Sequence, residues 1–477
     1  MDIDTGAGLL HRLTSYSGAR EWDVPIDDPR VRHDLTPNDP ETSPPQVKAY
    51  PGDLPVTPLP RDLPDPGGPA ADVLSGRAGP ARPLDAAQLG RVLFLGAGVV
   101  RTMVRDGRPM LFRAAGSAGA RFPLEVYPVT RGVEGVDDGV HWYDPVAHAL
   151  VRIGPPAAGD TTTLVVTGVP WRTGWRYAER GFRHLYWDAG TLLAQLEAAA
   201  AAFGPRLRTV FPDAGVTSLV GADGVHEFPL ALLTLGDGEP AVTPTGPATP
   251  GGDLPPVEFP LVTQAQRAGD GDGLGSPWPI GAAVEPSPKS ETLDAVIRRR
   301  GSQRRMDRTK TVPLESLTWP MAAALRGIEI PHWVAVHGVD GVEPGIYRWP
   351  DLEHPIVTGD LRSELERVSL GQSLSADAAY VVIAAVPGDD LDDRSYRTAQ
   401  LAAGVVEGRL HLAAYAVGAS ASGMTFLDSE VPALLHEPGS LVTLLFTCVG
   451  VPEYQSKAGG GPGDPVAVRR VVPRLVD

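Results

Sequence analysis

The sequence predicts an α+β protein in which one domain occurs twice in tandem and the copies close on each other as an intrachain pseudo-dimer. Three observations predict it: ordered internal matches, strand-like runs interleaved with helical ones, and hairpin-like segments ahead of the longest helix. A run beginning Phe182-Arg183 passes through Ala189-Gly190 to Gly204, and Tyr396-Arg397 leads through Ala403-Gly404 to Gly418 at the same spacing. Gly139 to Leu150 (GVHWYDPVAHAL) matches Gly345 to Ile356 (GIYRWPDLEHPI), with Gly and His in register. Val165-Val166 to Pro170 matches Val382-Ile383 to Pro387, and Leu230 to Gly236 matches Leu444 to Gly450. A period of roughly two hundred residues means two globular units rather than a solenoid, with a site between the halves.

The elements follow in order. Prolines and glycines concentrate between Asp23 and Pro69 and between Asp237 and Pro288, so both stretches read as extended or loop-like. They divide the chain into a proline-rich arm (1–70), a first domain (71–240), a linker (241–288) and a second domain (289–477). From Ala71 to Gly107 apolar residues recur at helical spacing through Leu89, Val92, Leu93 and Leu95. PLEVYPV alternates like a strand, HWYDPVAHALVRI reads as a hairpin, and TTTLVVTGV as a buried strand. A long helix is expected from about Ala178 to Ala202, then the strand FPLALLTLG. The second copy repeats this with helices between Leu293 and Leu325, strands around Val334 and Gly345, YVVIAAV, a helix from Ala399 to Val417, and LVTLLFTCVG.

The 477 residues carry a net charge of −16, which argues against a nucleic-acid binder. No apolar run approaches the roughly 20 residues of a membrane helix. The start MDIDTGAGLL lacks a positive n-region, and Cys448 alone cannot form an intrachain disulfide, so a cytoplasmic protein is expected. Cys448 lies in an apolar run and reads as a core thiol. Neither GxGxxG nor GxxxxGK[ST] occurs, and no metal-ligand set is assigned.

Three clusters carry candidate chemistry. In Arg299-Arg300-Gly301-Ser302-Gln303-Arg304-Arg305-Met306, arginines flank a serine as a phosphate site would require. The competing reading is a solvated basic helix end. Arg113 to Pro123 (RAAGSAGARFP) has small residues that let backbone N–H groups and the Ser117 hydroxyl approach a flat ligand, or simply form a tight turn. In Arg176-Tyr177-Ala178-Glu179-Arg180-Gly181-Phe182-Arg183-His184, cations around Tyr177 could depress its phenol pKa for proton transfer. The competing reading there is a helix N-terminal surface with a Glu–Arg pair.

Together these clusters resemble the flavin-dependent nitroreductase superfamily, and within it the azoline dehydrogenases of azole-containing peptide biosynthesis. RGSQRRM resembles the superfamily's Arg-x-Ser-x-Arg phosphate pattern, and GSAGARFPLEVY its Pro-Ser-Ala-Gly turn beside the flavin ring. RYAERGFRHLYWDAG resembles the dehydrogenases' Lys-Tyr-Gly-Glu-Arg-Gly-Tyr-Arg element, and KAYPGDLPVTPLP their proline-rich leading segment. The resemblance implies FMN between two copies of the fold. Here the second copy keeps the phosphate pattern where the first has SGRAGPAR, and the first keeps GSAGARFP where the second runs from IEIP into HWVAV. It therefore implies one composite FMN site, with the mirror-image site lost.

Carried over, Arg300, Ser302 and Arg304 hold the phosphate, with Lys457 as the C-terminal cation. Ser117, Ala118 and Gly119 line the ring, and Ser422, Gly423 and Met424 lie near its N5 edge. Arg176 stands where the subfamily has lysine, and Gly116 where the turn has proline. Arginine keeps its proton, so the base is assigned to Tyr177 with Arg176 stabilising the phenolate, and His184 is the runner-up. The implied activity is oxidation of a peptide thiazoline or oxazoline to the azole, with a cyclodehydratase partner and scope for a further homo-oligomer. The alternatives are an NAD(P)H-dependent reductase of nitro, quinone or enone substrates, and a flavin-free peptide-binding scaffold.

Overall fold

The computed structural model describes residues 4–18, 28–31, 37–64, 68–77, 82–105, 107–252, 257–286 and 290–472. Parts of the arm (23–27, 32–36 and 65–67), of SGRAGPAR (78–81) and of the linker (253–256, 287–289) lie outside the described residues. The arm contributes α1 (Gly6–Thr14) and β1 (Val56–Pro58). The first copy runs α2 (Ala70–Leu74), α3 (Ala86–Ala97), β2 (Val99–Arg105), β3 (Arg108–Arg113), β4 (Leu124–Thr130), β5 (Gly139–Asp144), β6 (Ala149–Gly154) and β7 (Thr163–Gly168). It continues with α4 (Pro170–Tyr177), α5 (Gly181–Ala199), β8 (Pro205–Arg208), α6 (Asp213–Leu219) and β9 (Phe228–Leu235).

The linker, expected to be extended, contains the helix α7 (Pro260–Ala268). The second copy follows with α8 (Leu293–Arg299), α9 (Glu315–Ala324), β10 (His332–Val336), β11 (Gly345–Arg348), β12 (Val357–Thr358), α10 (Arg362–Val368) and α11 (Leu374–Asp377). It ends with β13 (Tyr380–Pro387), α12 (Asp393–Ala416), β14 (Ser420–Met424), α13 (Val431–Leu434), β15 (Leu441–Gly450) and β16 (Val466–Ala467).

The duplication is explicit in the sheets. The first orders its strands β1-β6-β5-β4-β7-β9-β8 and the second β12-β11-β10-β13-β15-β14, the same path once the arm strand β1 is set aside. The bulges agree as well. Pairing of β7 with β9 skips Leu230, and pairing of β13 with β15 skips Leu444, the residues the repeat equates. These bulges equate Val166 with Ala384, one residue beyond the Ile383 expected from sequence. A second correction concerns Val99–Arg105, expected to continue a helix. It is a strand paired with Arg108–Arg113, and the second copy has no counterpart to this hairpin between α9 and β10. β16, from the second copy's tail, adds to the hairpin in parallel through Val466 and Arg101.

The copies meet where α5 and α12 cross. α12 is started by a capping box in which Asp392 accepts from the Ser395 N–H and Ser395 Oγ accepts from the Asp392 N–H, both at 2.7 Å. At the crossing, a Cβ on Gly404 would lie 2.5 Å from Trp187 O, and one on Gly408 2.7 Å from Ala194 Cβ. A Cβ on Gly190 would strike the Gly404 backbone, so the two matched glycines let the helices touch main chain to main chain. Gly404→Leu should therefore cost about 2–3 kcal/mol through overpacking, read as a lower Tm, whereas Gly439→Ala, in open space and without a left-handed backbone, should change far less.

Among the described residues no helix is long and apolar enough to cross a membrane, and no group of three or more His, Cys, Asp or Glu could hold a metal ion. Cys448 is buried in β15, where burial pushes its thiol up.

Candidate functional site

α8 ends at Arg299, and the chain leaves it extended at Arg300, whose side chain is buried. Arg300 crosses to the first copy: its Nη2 donates to Ala114 O at 2.7 Å, while Nη1 lies 3.2 Å from His411 Nδ1. Its Nε is buried without a hydrogen-bond partner, and burial lowers the guanidinium to about 10. Arg101, on β2 of the first copy, reaches back the other way. It donates to the carbonyls of Arg298 (2.7 Å), Arg299 (3.3 Å), Arg300 (3.1 Å) and Lys457 (2.9 Å). One buried cation thus ties together the end of α8, the basic cluster and the C-terminal tail, and it favours the helix's negative pole.

The small-residue cluster forms a turn directly beside Arg300: a Cβ on Gly116 would sit 3.4 Å from Arg300 Nη1. Ser117 Oγ donates to Asp188 Oδ2 at 2.5 Å, the Ala118 N–H donates to Asp188 Oδ1 at 2.9 Å, and the Phe122 N–H donates to Ser117 Oγ at 2.8 Å. Asp188 on α5 therefore locks the turn. Gly119 is left-handed (φ +58°), and a Cβ there would lie 2.6 Å from Arg176 Cδ and 2.7 Å from the Tyr177 hydroxyl. Glycine is required by both the conformation and the space.

Two buried carboxyls flank the turn. Burial raises Asp188 to about 7 against the pull of its two hydrogen bonds. Burial and the nearby Asp188 charge raise Glu407, on α12, to about 8, with Arg300 opposing. Glu407 accepts from the Gly423 backbone and lies 3.6 Å from His411 Nε2. Both acids hold protons more tightly when folded. Their contribution to stability is full below pH about 4, the unfolded range, and is lost as pH rises through about 7–8. Denaturant titrations from pH 5 to 9 should show wild-type stability falling with pH, and Asp188→Asn flattening that fall. An unchanged slope in the variant would remove Asp188 as its source.

Tyr177 ends α4, and its ring stacks on His184 with centroids 4.0 Å apart. The Arg176 guanidinium lies 5.6 Å from the Tyr177 ring centroid and donates to Asn38 Oδ1 of the arm at 3.2 Å. The expected depression of the phenol pKa is not what this geometry gives: burial raises it, outweighing Arg176. His184 is buried with neither ring nitrogen hydrogen-bonded, and burial with Arg180 and Arg183 drives it well below its ordinary value. Its stacked face offers no hydrogen-bond line to the Tyr177 hydroxyl. Glu179 and Arg180 are buried too, not an exposed pair. Arg180 (2.8 Å) and Arg183 (2.5 Å) both donate to Asp428, from the second copy, and hold its carboxyl below the usual range against burial. The arm closes over this pair, with Tyr16 N–H on Asp428 and Thr14 O accepting from Arg180.

The remaining expected residues are placed less uniformly. Ser302, Arg304 and Lys457 are exposed. Ser422 and Gly423 sit on β14, Gly423 against Glu407, but Met424 packs into the second copy's apolar core. The structure thus brings Arg300, the Ser117–Gly119 turn, Arg176-Tyr177 and Gly423 around one locus built by both copies. Sequence reasoning missed Asp188, Glu407, Arg101 and Asp428. The one available signal was an acid in the otherwise apolar stretch of helix around Leu185–Leu193.

A flavin mononucleotide fits the residue types present. Arg101 and Arg300 are buried cations whose hydrogen-bond partners are carbonyls and one imidazole, with no carboxylate among them, and one Arg300 donor is orphaned. A phosphate would relieve that excess charge, and the glycine-bearing turn leaves room for a flat ring.

No family model matches the chain. A curated protein of Methanocaldococcus jannaschii described as a nitroreductase is 29% identical over 171 residues, 32% of this chain and 81% of that protein. The crystal structure of a nitroreductase of Anabaena variabilis superposes with a TM-score of 0.69 at 21% identity, covering 94% of this chain and all of that one (100%). A chain of the E. coli microcin synthetase McbBCD complex with truncated pro-MccB17 also matches, at 20% identity over 33% of this chain and 65% of that one. Its TM-score is 0.28. The fold is nitroreductase-like. Two units of this topology follow each other in the single chain.

Proposed function

We propose that the chain is an FMN-dependent dehydrogenase that oxidises azolines in a peptide to thiazoles or oxazoles. The observation that carries the cofactor reading is the meeting of Arg300 from one copy with the Ala114–Gly119 turn of the other. The tyrosine element beside that turn carries the substrate reading by its resemblance. Arg300, Ser302 and Arg304 would hold the phosphate, with Lys457 in the nearby tail. Ser117, Ala118 and Gly119 would line the ring, and Ser422, Gly423 and the Met424 backbone would border its reactive edge. When bound, FMN would supply the two-electron acceptor for the oxidation, with oxygen as the terminal oxidant.

The protein's part is orientation and the proton. The Tyr177 phenolate accepts the ring proton, Arg176 compensates the phenolate charge, and the arm residue Asn38 orients Arg176. Buried His184 would support the Tyr177 ring by stacking. The azoline would come from a cyclodehydratase in the cytoplasm.

A second reading, an NAD(P)H-dependent reductase, is favoured by the named function of the M. jannaschii relative. One experiment separates them. The FMN-loaded protein is incubated aerobically with a thiazoline- or oxazoline-bearing peptide and, separately, with NADH and a nitroarene. Loss of two hydrogens from the peptide supports the dehydrogenase. NADH consumption without peptide oxidation overturns it in favour of the reductase.

A further inference from the structure

Glu407, His411 and Tyr415 recur at every fourth residue of α12, on one face of the helix. Each meets a different part of the composite site. The Tyr415 hydroxyl donates to Gly301 O at 2.9 Å, His411 Nδ1 lies 3.2 Å from Arg300 Nη1, and the Glu407 carboxyl accepts from the Gly423 N–H on β14. A Cβ on Gly423 would strike Glu407 Oε1, so β14 carries glycine where the carboxyl is seated. The polar stripe is not a feature of the repeat. With Gly190 matched to Gly404, the position of Glu407 falls in α5 on Leu193, fully buried in the apolar core.

The hydrogen-bond roles follow from the chemistry of the groups. A guanidinium has no acceptor, so Arg300 donates and His411 Nδ1 accepts. Burial and Arg300 lower His411 to about 3, so the ring is neutral and its one proton sits on Nε2. That nitrogen is buried without a hydrogen-bond partner, and Glu407 Oε1 lies 3.6 Å from it. Arg300 Nε is a second buried donor without a partner. A row of three side chains thus runs from the cation of the phosphate cluster to β14. Glu407 also faces the Asp188 carboxyl on α5 and the Cys448 thiol on β15, while Arg101 on β2 faces Arg300. Among these charges Arg300 is the one that favours the Glu407 carboxylate.

We propose that His411 and Glu407 are positioning residues for Arg300, and that Glu407 takes up a proton when an anionic group binds there. His411 fixes one edge of the guanidinium and leaves the Nε donor to the ligand. Glu407 balances the buried cation in the free protein, and an arriving anion takes over that balance. The carboxylate is then left beside Asp188 and a second negative charge, which favours its neutral form. The proposal rests on the reading of Arg300 as the grip for the cofactor's phosphate. The bound state holds more protons, so affinity falls as pH rises through about 8, where Glu407 of the free protein ionises.

The test is calorimetric titration of the full chain with FMN at pH 7 and pH 9, each in two buffers of different ionisation heat, which counts protons. A phosphate monoester is a dianion throughout this range. Wild type should take up more protons at pH 9 than at pH 7 and lose about 3- to 10-fold in affinity between them. Glu407→Gln keeps the shape and the Gly423 contact, and should abolish both the uptake and the pH dependence. His411→Leu should weaken binding about tenfold, and His411→Gln, which restores an acceptor for Arg300, should recover most of it. Uptake that persists in Glu407→Gln, or that vanishes only in Asp188→Asn, overturns the proposal, as does a wild-type affinity independent of pH. If FMN binds at neither pH, the cofactor reading fails and sulfate, which does not titrate here, takes its place. Against sodium chloride of equal ionic strength, sulfate should raise the wild-type Tm more at pH 7 than at pH 9, and equally at both in Glu407→Gln. Sulfate that leaves the wild-type Tm unmoved, or moves it equally at both pH values, overturns the proposal.

Discussion

Under the proposed function, Tyr177→Phe should retain flavin and lose azoline oxidation by about 10²–10⁴-fold, the usual contribution of a positioned acid–base group. The substitution removes only the hydroxyl that approaches Gly119 and leaves the stacking of the ring on His184, so the fold survives. The pH dependence sharpens the expectation. Burial raises the phenol above its ordinary value, so the phenolate is a minor species at neutral pH. If it is the base, wild-type turnover rises about tenfold per pH unit through neutrality, without a plateau below pH about 10. His184, driven far below its ordinary value, is already neutral over that range. A rate that is flat through neutral pH, with full activity in Tyr177→Phe, would transfer the role away from tyrosine.

Arg300→Ala should, under the same proposal, weaken FMN binding by about 10- to 100-fold, on a charge-assisted contact worth roughly 1.5–3 kcal/mol at 1.4 kcal/mol per tenfold. It also leaves Ala114 O without its donor and opens the join between the copies, so a lower Tm accompanies the flavin loss. Arg300→Lys should not restore binding, because one ammonium cannot replace a fork that meets Ala114 O and His411 together. Arg304→Ala, at an exposed side chain, should have the smaller effect. Equal flavin content in wild type and Arg300→Ala, measured by equilibrium dialysis, would remove Arg300 from the site.

Much of this architecture is readable from residues that repeat. Gly190 and Gly404 stand out in sequence because a helix crossing at main-chain contact admits nothing larger, and that constraint falls on both copies. Ser117, Tyr177 and Arg300 stand out because each heads a short local pattern. What binds the patterns together is not local. Asp188 meets Ser117 across 71 residues, Arg101 meets Arg300 across 199, and Asp428 meets Arg183 across 245. Spacing along the chain says nothing about such pairs until the sheets set them side by side.

The misreadings have the same origin. Val99–Arg105 carries apolar residues that suit a helix, but its pairing partner is the strand that follows it, reached through a tight reversal. Cations around Tyr177 suggested an acidic phenol, yet Arg180 and Arg183 spend their charge on Asp428 and burial dominates what remains. Met424 follows Gly423 in sequence, but strand alternation turns its side chain to the opposite face, into the core.

The central claim is a single flavin site assembled from both copies, and flavin counting tests it most directly. The purified chain is saturated with FMN, freed of excess, denatured, and the released flavin quantified against protein. The account predicts one FMN per wild-type chain and a marked loss in Arg300→Ala. Two per chain, or none after reconstitution, would contradict it.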